Sequence, residues 1–384
     1  MALDARSGRF PPLLALSTLL VWVGACAAGG RGGAPAAPVP ARVVDIDVEP
    51  LRVEVGRGPN GTEVAVYDAR QLFDQASAAL DADDFARALA LYDQLVASFP
   101  DSQLVPPALF NAGLALEGKR DLVAAAARYL EVVRRAPATR YGLDAHIRAG
   151  AVMAELERWP DALRILDEVG ARRDLGDADR IELHARRGYV LVESRRYGEA
   201  EQALGAAIDL AERARRERST ATDSFVAMAH YYLGEMPRRQ AEAVALELPE
   251  KRLEERIEAK AKLVLAAQRR FEDTIRVGDL LWATAAGYQL GAMQQDMWRS
   301  LRAAPVPPAL TGDEARIYTT EVGGLARGHL EKALAAHEMN VKVADRNAAQ
   351  TPWSERSRRR IAEIRQLLAG AAVGVHGPPP PVGR

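Results

Sequence analysis

Of the residue types that attack, ligate or shuttle protons, this 384-residue chain offers few in a workable arrangement. Its single cysteine is Cys26, in the string Val23-Gly24-Ala25-Cys26. A lone thiol serves as a nucleophile, a metal ligand or an attachment point, but it cannot close an internal disulfide. The histidines are His146, His184, His230, His329, His337 and His376. His337-Glu338 opens like a zinc-protease helix, yet Val341 stands where the second ligand is needed. His329 and His337, with Glu331 and Glu338 nearby, have a spacing that fits one helix face. Solvated surface histidines are the commoner meaning of such a pair. Neither a glycine-rich strand-to-helix loop nor a G-x-S-x-G nucleophile turn occurs. Acidic pairs such as Asp83-Asp84 suit solvated helix caps. These residues point to no catalytic set, no metal site and no cofactor.

The cysteine gains meaning from what precedes it. Arg6 and Arg9 supply charge, Leu13 to Val23 form an apolar core, and the small residues Gly24 and Ala25 follow. These are the parts of an export signal. The core is shorter than the roughly 20 apolar residues that span a bilayer. Val23-Gly24-Ala25-Cys26 resembles the lipobox of bacterial lipoproteins. The resemblance implies a diacylglycerol on the Cys26 sulfur, cleavage before it and an N-acyl chain on the new amino terminus. Several acyl chains together make a stable membrane anchor. Ala27, and not aspartate, follows the cysteine. By resemblance to lipoprotein sorting in Gram-negative bacteria, that implies the outer membrane, facing the periplasm.

Lysine and arginine number 51 against 52 acids, so the basic excess of a nucleic-acid binder is absent. A 6% aromatic share beside abundant alanine, leucine and charge reads as helix. Residues 1–25 are the lipoprotein signal and 26–62 a lipidated glycine- and proline-rich tether ending in a short extended segment. In that segment Val44, Ile46 and Val48 alternate with acids, Val53 and Val55 follow Pro50, and Gly56 to Gly61 is turn-rich. From Val66 the period becomes helical. Residues 66–216 hold about four repeats, 217–370 a degenerate repeat or helical domain, and 371–384 a disordered tail.

Ala76, Gly113 and Gly150 recur every 37 residues, as do Ala88, Ala125 and Ala162, and Tyr92, Tyr129 and Leu166. Pro100 and Pro137 keep the same step, and a fourth copy with Gly188, Ala200 and Leu204 follows after 38. The small residue and the alanine twelve positions later place one small side chain on each of two crossing helices. Phe85, Leu122, Trp159 and Tyr197 plug the turn between them. This register resembles the tetratricopeptide repeat of about 34 residues, with longer turns between repeats. It is also similar to repeats of outer-membrane assembly and Tol-Pal-associated lipoproteins. The implied fold is all-α: a tetratricopeptide-like helical-hairpin solenoid with a C-terminal helical extension, preceded by a short extended or β segment.

After Arg216 the register weakens. Tyr231-Tyr232-Leu233-Gly234 resembles a fifth first helix, but no alanine follows twelve residues on. Helices are expected at 251–277, 280–303, 312–347 and 353–369, with a capping-box spacing at Thr311 and Glu314, Pro352 starting the last, and Pro305 to Pro308 as a stop. Small residues at 283, 286, 287 and 291 mark another closely packed first helix. The overall layout resembles tetratricopeptide lipoproteins of myxobacterial-type envelopes, including a gliding-motility component.

In the resembled family the groove is lined by the first helix of each hairpin. The register carries this to Phe73 and Ser77, Phe110 and Leu114, Ile147 and Ala151, and Ala185 and Tyr189. They lack the lysine and asparagine of the family's carboxylate clamp, so an apolar groove for a peptide is expected, with inter-repeat core as the competing role for Phe73 and Phe110. The expected function is a non-catalytic, lipid-anchored scaffold that binds envelope proteins or peptides. Outer-membrane assembly, Tol-Pal-type coordination and a motility or secretion machine are the candidate settings. The alternative is an envelope enzyme, such as a cell-wall hydrolase, with its chemistry in residues 217–370. No oligomeric state follows from the sequence.

Overall fold

A computed structural model describes residues 51–373 apart from 59–60, 218–222 and 249. Cys26, the export signal, the tether, His376 and the tail lie outside the described residues, as do Val44, Ile46 and Val48. No described helix is long and apolar enough to cross a membrane.

The chain opens with two antiparallel strands, β1 (Arg52–Gly58) and β2 (Gly61–Tyr67), paired from Arg52 with Tyr67 to Gly58 with Gly61. This corrects the expected turn at Gly56 to Gly61. Gly56 pairs with Glu63 and Gly58 with Gly61 within the ladder. Helix begins later than Val66, at Ala69, because the Asp68 carboxylate accepts the Gln71 N–H at 2.7 Å and caps it there.

Thirteen helices follow among the described residues, and the fold is all-α apart from that hairpin. They are α1 (Ala69–Asp81), α2 (Phe85–Ser98), α3 (Val105–Gly118), α4 (Leu122–Arg135), α5 (Arg140–Glu155), α6 (Trp159–Gly170), α7 (Asp177–Glu193) and α8 (Tyr197–Arg216). The longer ones are α9 (Asp223–Ala243), α10 (Glu250–Val277), α11 (Leu280–Ala303), α12 (Gly312–Arg346) and α13 (Pro352–Val373). The chain forms two compact units, one up to Leu156 and one from Glu157. In each, consecutive helices pack against one another as helical hairpins.

The repeated small residues do the work their spacing implies. A Cβ on Gly113 would lie 2.5 Å from the ring of Tyr129, and one on Gly188 would lie 2.3 Å from Leu204. The helices cross so closely that only hydrogen fits, and the facing side chain fills the space. Tyr92, Tyr129 and Leu204 are fully buried, each contributing about 2–3 kcal/mol of apolar burial. The turn after each first helix recurs as well. Asp83, Arg120, Glu157 and Arg195 all sit at positive φ, between 57° and 63°. This left-handed residue lets the N–H of Asp84, Asp121 and Arg196 reach back to the carbonyls of Ala79, Leu116 and Leu191, satisfying helix-end acceptors. Asp84 and Asp121 then cap α2 and α4, as acidic turn residues should.

Beyond Arg216 the hairpin persists in stretched form. Gly234 of α9 faces Phe271 of α10, with 2.9 Å between a built Cβ and the ring. Gly291 of α11 faces His337 of α12 in the same manner, at 2.5 Å. Ala267 and Ala333, four residues before each plug, are fully buried, like Ala88 and Ala125 before Tyr92 and Tyr129. Thr311 does precede α12, but its side chain makes no cap bond, so the expected capping box is not formed. The reciprocal pair stands instead at α13, where Thr351 and Ser354 each accept the other's N–H at 3.1 Å.

Candidate functional site

In the first unit the first helices of the hairpins are α1, α3 and α5. Phe73 of α1 is half-buried and meets Tyr92 edge-on, with ring centroids 5.8 Å apart. The Tyr92 hydroxyl shares a hydrogen bond of 3.0 Å with Ser77 and accepts one of 3.0 Å from Asn111 Nδ2. Burial pushes the Tyr92 phenol above its ordinary pKa, more than these two bonds pull it down. Phe110 of α3 lies against Tyr129 at 5.5 Å and Tyr141 at 6.1 Å. Phe110 and Leu114 are half-buried, and Tyr141 is exposed.

Behind this row is a charged triad. Tyr129 donates to Glu117 Oε1 at 2.5 Å, and Arg148 Nε of α5 donates to the same oxygen at 2.9 Å. Burial, then the Glu117 carboxylate, hold the Tyr129 phenol far above its usual range. Burial works against the Arg148 charge, but Glu117 and Tyr129 outweigh it and raise the guanidinium. A phenol locked in its protonated form donates a hydrogen bond and takes no part in proton exchange near neutral pH.

In the second unit Tyr189 of α7 is half-buried between Trp159, at 6.1 Å, and Tyr232, at 4.8 Å. Tyr231, Phe271 and Trp282 extend the cluster inward, and Gln289 Nε2 donates to the Tyr231 hydroxyl at 3.0 Å. Beside it, buried Glu235 accepts from both Arg238, at 2.6 Å, and Arg239, at 3.3 Å. Arg239 also holds Glu193 of α7 at 2.6 Å. Burial raises the Glu235 carboxyl, but the two guanidiniums override it and the net direction is down. The sequence reading missed this cluster. Its signal was Glu235 followed by Arg238 and Arg239, the three- and four-residue spacings that share a helix face.

Of the residues carried over from the register, Phe73, Ser77, Phe110, Leu114, Ala151 and Tyr189 are partly exposed. Ile147 and Ala185 are not: they are 4% and 0% exposed, so their side chains fill core and cannot line a groove. Phe73 and Phe110 each pack against a plug tyrosine and remain partly exposed.

The histidines do not converge. His329 Nδ1 pairs with Gln294 at 2.7 Å, whereas His337 points inward to Ser357 at 3.2 Å and Gln295 at 3.3 Å. Burial, then Arg360, depress His337 to a pKa of about 4, so it is neutral at pH 7. Asn340 completes this polar core by donating to Ser357 at 2.9 Å and to the Thr284 carbonyl at 3.0 Å. Among the described residues, no group of three or more histidine, cysteine or acidic residues is placed to hold a metal ion. What these rows offer is contact: half-exposed aromatic faces beside charges that are already paired.

No protein-family model matches the chain, and no curated protein does. Solved structures similar to it include MamA, residue 41 to its end, from Desulfovibrio magneticus RS-1, at 17% identity and a TM-score of 0.36, covering 56% of this chain and 98% of that one. A tetratricopeptide repeat protein from Parabacteroides merdae ATCC 43184 is 13% identical with a TM-score of 0.41, covering 77% and 98%. The apo form of RapI is 11% identical with a TM-score of 0.44, covering 79% and 99%.

Proposed function

We propose that this chain is a non-catalytic scaffold, anchored by lipid on Cys26 to the outer membrane of a Gram-negative bacterium and facing the periplasm. Its hairpins hold protein or peptide partners of an envelope complex. The observation that carries the binding role is the division of labour around Phe110. Phe73, Phe110 and Leu114 keep apolar surface open, while Ser77, Asn111, Glu117 and Arg148 are bonded within the chain. A partner therefore finds apolar contact without having to break a polar network. Exposed aromatic faces of this kind anchor interfaces.

The enzyme alternative places its chemistry in residues 217–370. Three buried titratable groups of that region, Glu235, Lys260 and His337, are 3%, 1% and 0% exposed. Each is also engaged: Lys260 by Asp296 and the Ala241 carbonyl at 2.7 Å, His337 by Ser357, Glu235 by its arginines. Groups so enclosed are out of a substrate's reach, which supports the scaffold. The setting follows from the lipobox resemblance, with outer-membrane assembly, Tol-Pal-type coordination or a motility or secretion machine as the complex.

In-cell crosslinking with mass spectrometry identifies the partner. Phe110→Asp then abolishes its capture while circular dichroism stays helical, and unchanged capture would sink the groove. For the anchor, labelled fatty acid enters the wild type and not Cys26→Ser, which becomes soluble. Equal labelling of both would remove it.

A further inference from the structure

On α7, the side roughly opposite Tyr189 walls a second feature. Between α6, α7 and α8 lies a cavity of about 350 Å³, near the lower end of the range for small-ligand sites. Its floor is apolar and buried: Leu166, Leu183 and Ala203. Its polar wall holds His184, Arg187, Gln202 and Asp167. Neither His184 nor Gln202 has a hydrogen-bond partner among the described residues. Arg187 bonds Asp167 through Nε, at 2.8 Å, and its terminal amines make no hydrogen bond among the described residues. Since Asp167 is 58% exposed, that pair is weak and exchangeable.

Two guanidiniums, and not the Asp167 carboxylate in the wall, set the field at the imidazole. Burial depresses His184, and the charges of Arg187 and Arg180 push it further down, so the field at the imidazole is positive. A cation is repelled there. A wholly apolar ligand covers the floor but strips water from His184 and Gln202 without replacing their hydrogen bonds, which is unfavourable. An anion with an apolar body answers both demands.

We propose that this cavity binds an amphiphilic carboxylate, its apolar body on Leu166, Leu183 and Ala203 and its carboxylate on His184, Gln202 and the terminal amines of Arg187. The ligand is either a free organic acid or an acidic residue beside an apolar one in a partner's chain. The site shares no residue with the Phe110 surface and stands independently of the scaffold role.

The test uses the full-length chain with 4-phenylbutyrate and its neutral counterpart 4-phenylbutanol, followed by ligand-observed NMR. The acid binds roughly tenfold or more tightly than the alcohol, as expected of one charge-assisted hydrogen bond. His184→Leu combined with Arg187→Leu brings the acid down to the level of the alcohol. Gly170→Leu fills the cavity and abolishes binding of both. A Cβ at Gly170 meets only Leu183, at an ordinary 3.5 Å, so this variant folds, and Ala206→Trp is a second plug. Displacement of phenylbutyrate by a blocked Phe-Glu dipeptide assigns the site to a partner's chain. Displacement by octanoate but not the dipeptide assigns it to a free acid. Equal affinity for acid and alcohol, no binding of either, or undiminished binding to both plugged variants overturns the proposal.

Discussion

The short hairpins and the long ones solve one packing problem with different spacings. From Gly113 to Tyr129 and from Gly188 to Leu204 is 16 residues, but from Gly234 to Phe271 is 37 and from Gly291 to His337 is 46. The crossing itself is unchanged: a glycine, a ring or branched side chain against it, and an alanine four residues before the plug. The conserved unit is thus the contact between two helices, while the length of chain between the partners is free. Extra turns are added beyond the crossing, where they alter no part of it. The regions differ also in the plug. Tyrosine carries its single polar atom at the tip of the ring and leucine has none, whereas His337 has two ring nitrogens and holds Ser357 and Gln295 around it. A polar plug makes the last hairpin sensitive to acid.

The largest expected effect concerns the buried charges. Arg148→Met strands Glu117, which is 7% exposed, and costs about 3–5 kcal/mol in urea unfolding. Arg239→Met costs about half as much or less, because Arg238 still neutralises Glu235 at 2.6 Å. Equal losses would remove this distinction between the two units. Next is pH. His337 binds its proton less readily folded, near pKa 4, than unfolded, near 6.5. Its stabilisation is full above about 6.5 and is lost as pH falls towards 4, in total of order 3 kcal/mol. Hydrogen exchange in α11 to α13 should accelerate over that window, and His337→Phe should flatten the dependence. The smallest effect is at the turns. Arg195→Gly relieves its left-handed φ of 60° and raises stability by up to about 1 kcal/mol. No gain in thermal midpoint would mean the turn is unstrained.

The repeats before Arg216 were legible because a step of 37 or 38 residues brings every anchor back at once. Of the fifth and sixth the first helix was legible, at Gly234 and around 283–291, but its partner hid behind the search for an alanine twelve residues after the glycine. Ala267 comes 33 after Gly234 and Ala333 comes 42 after Gly291. Alanine followed four residues later by Phe271 or His337 was the surviving signal, and the histidine disguised it by suggesting a ligand. The strand at Gly61 was obscured by its own glycines, which read as turn until the ladder partner is known. Ile147 and Ala185 were misplaced because a repeat register fixes position along a helix but not how far neighbouring helices close over it. The Glu235 cluster depends on α7 and α9 meeting, a tertiary fact that local spacing does not contain.

The stretched hairpin is also a mechanical part. With its fulcrum where His337 meets Gly291, α12 runs 20 residues back to exposed Ile317, an arm of about 30 Å at 1.5 Å per residue. A tilt of about 5° at the fulcrum sweeps the tip through roughly 2.5 Å on such an arm. A slight loosening around one imidazole is thereby converted into a displacement large enough to engage or release whatever touches the far end.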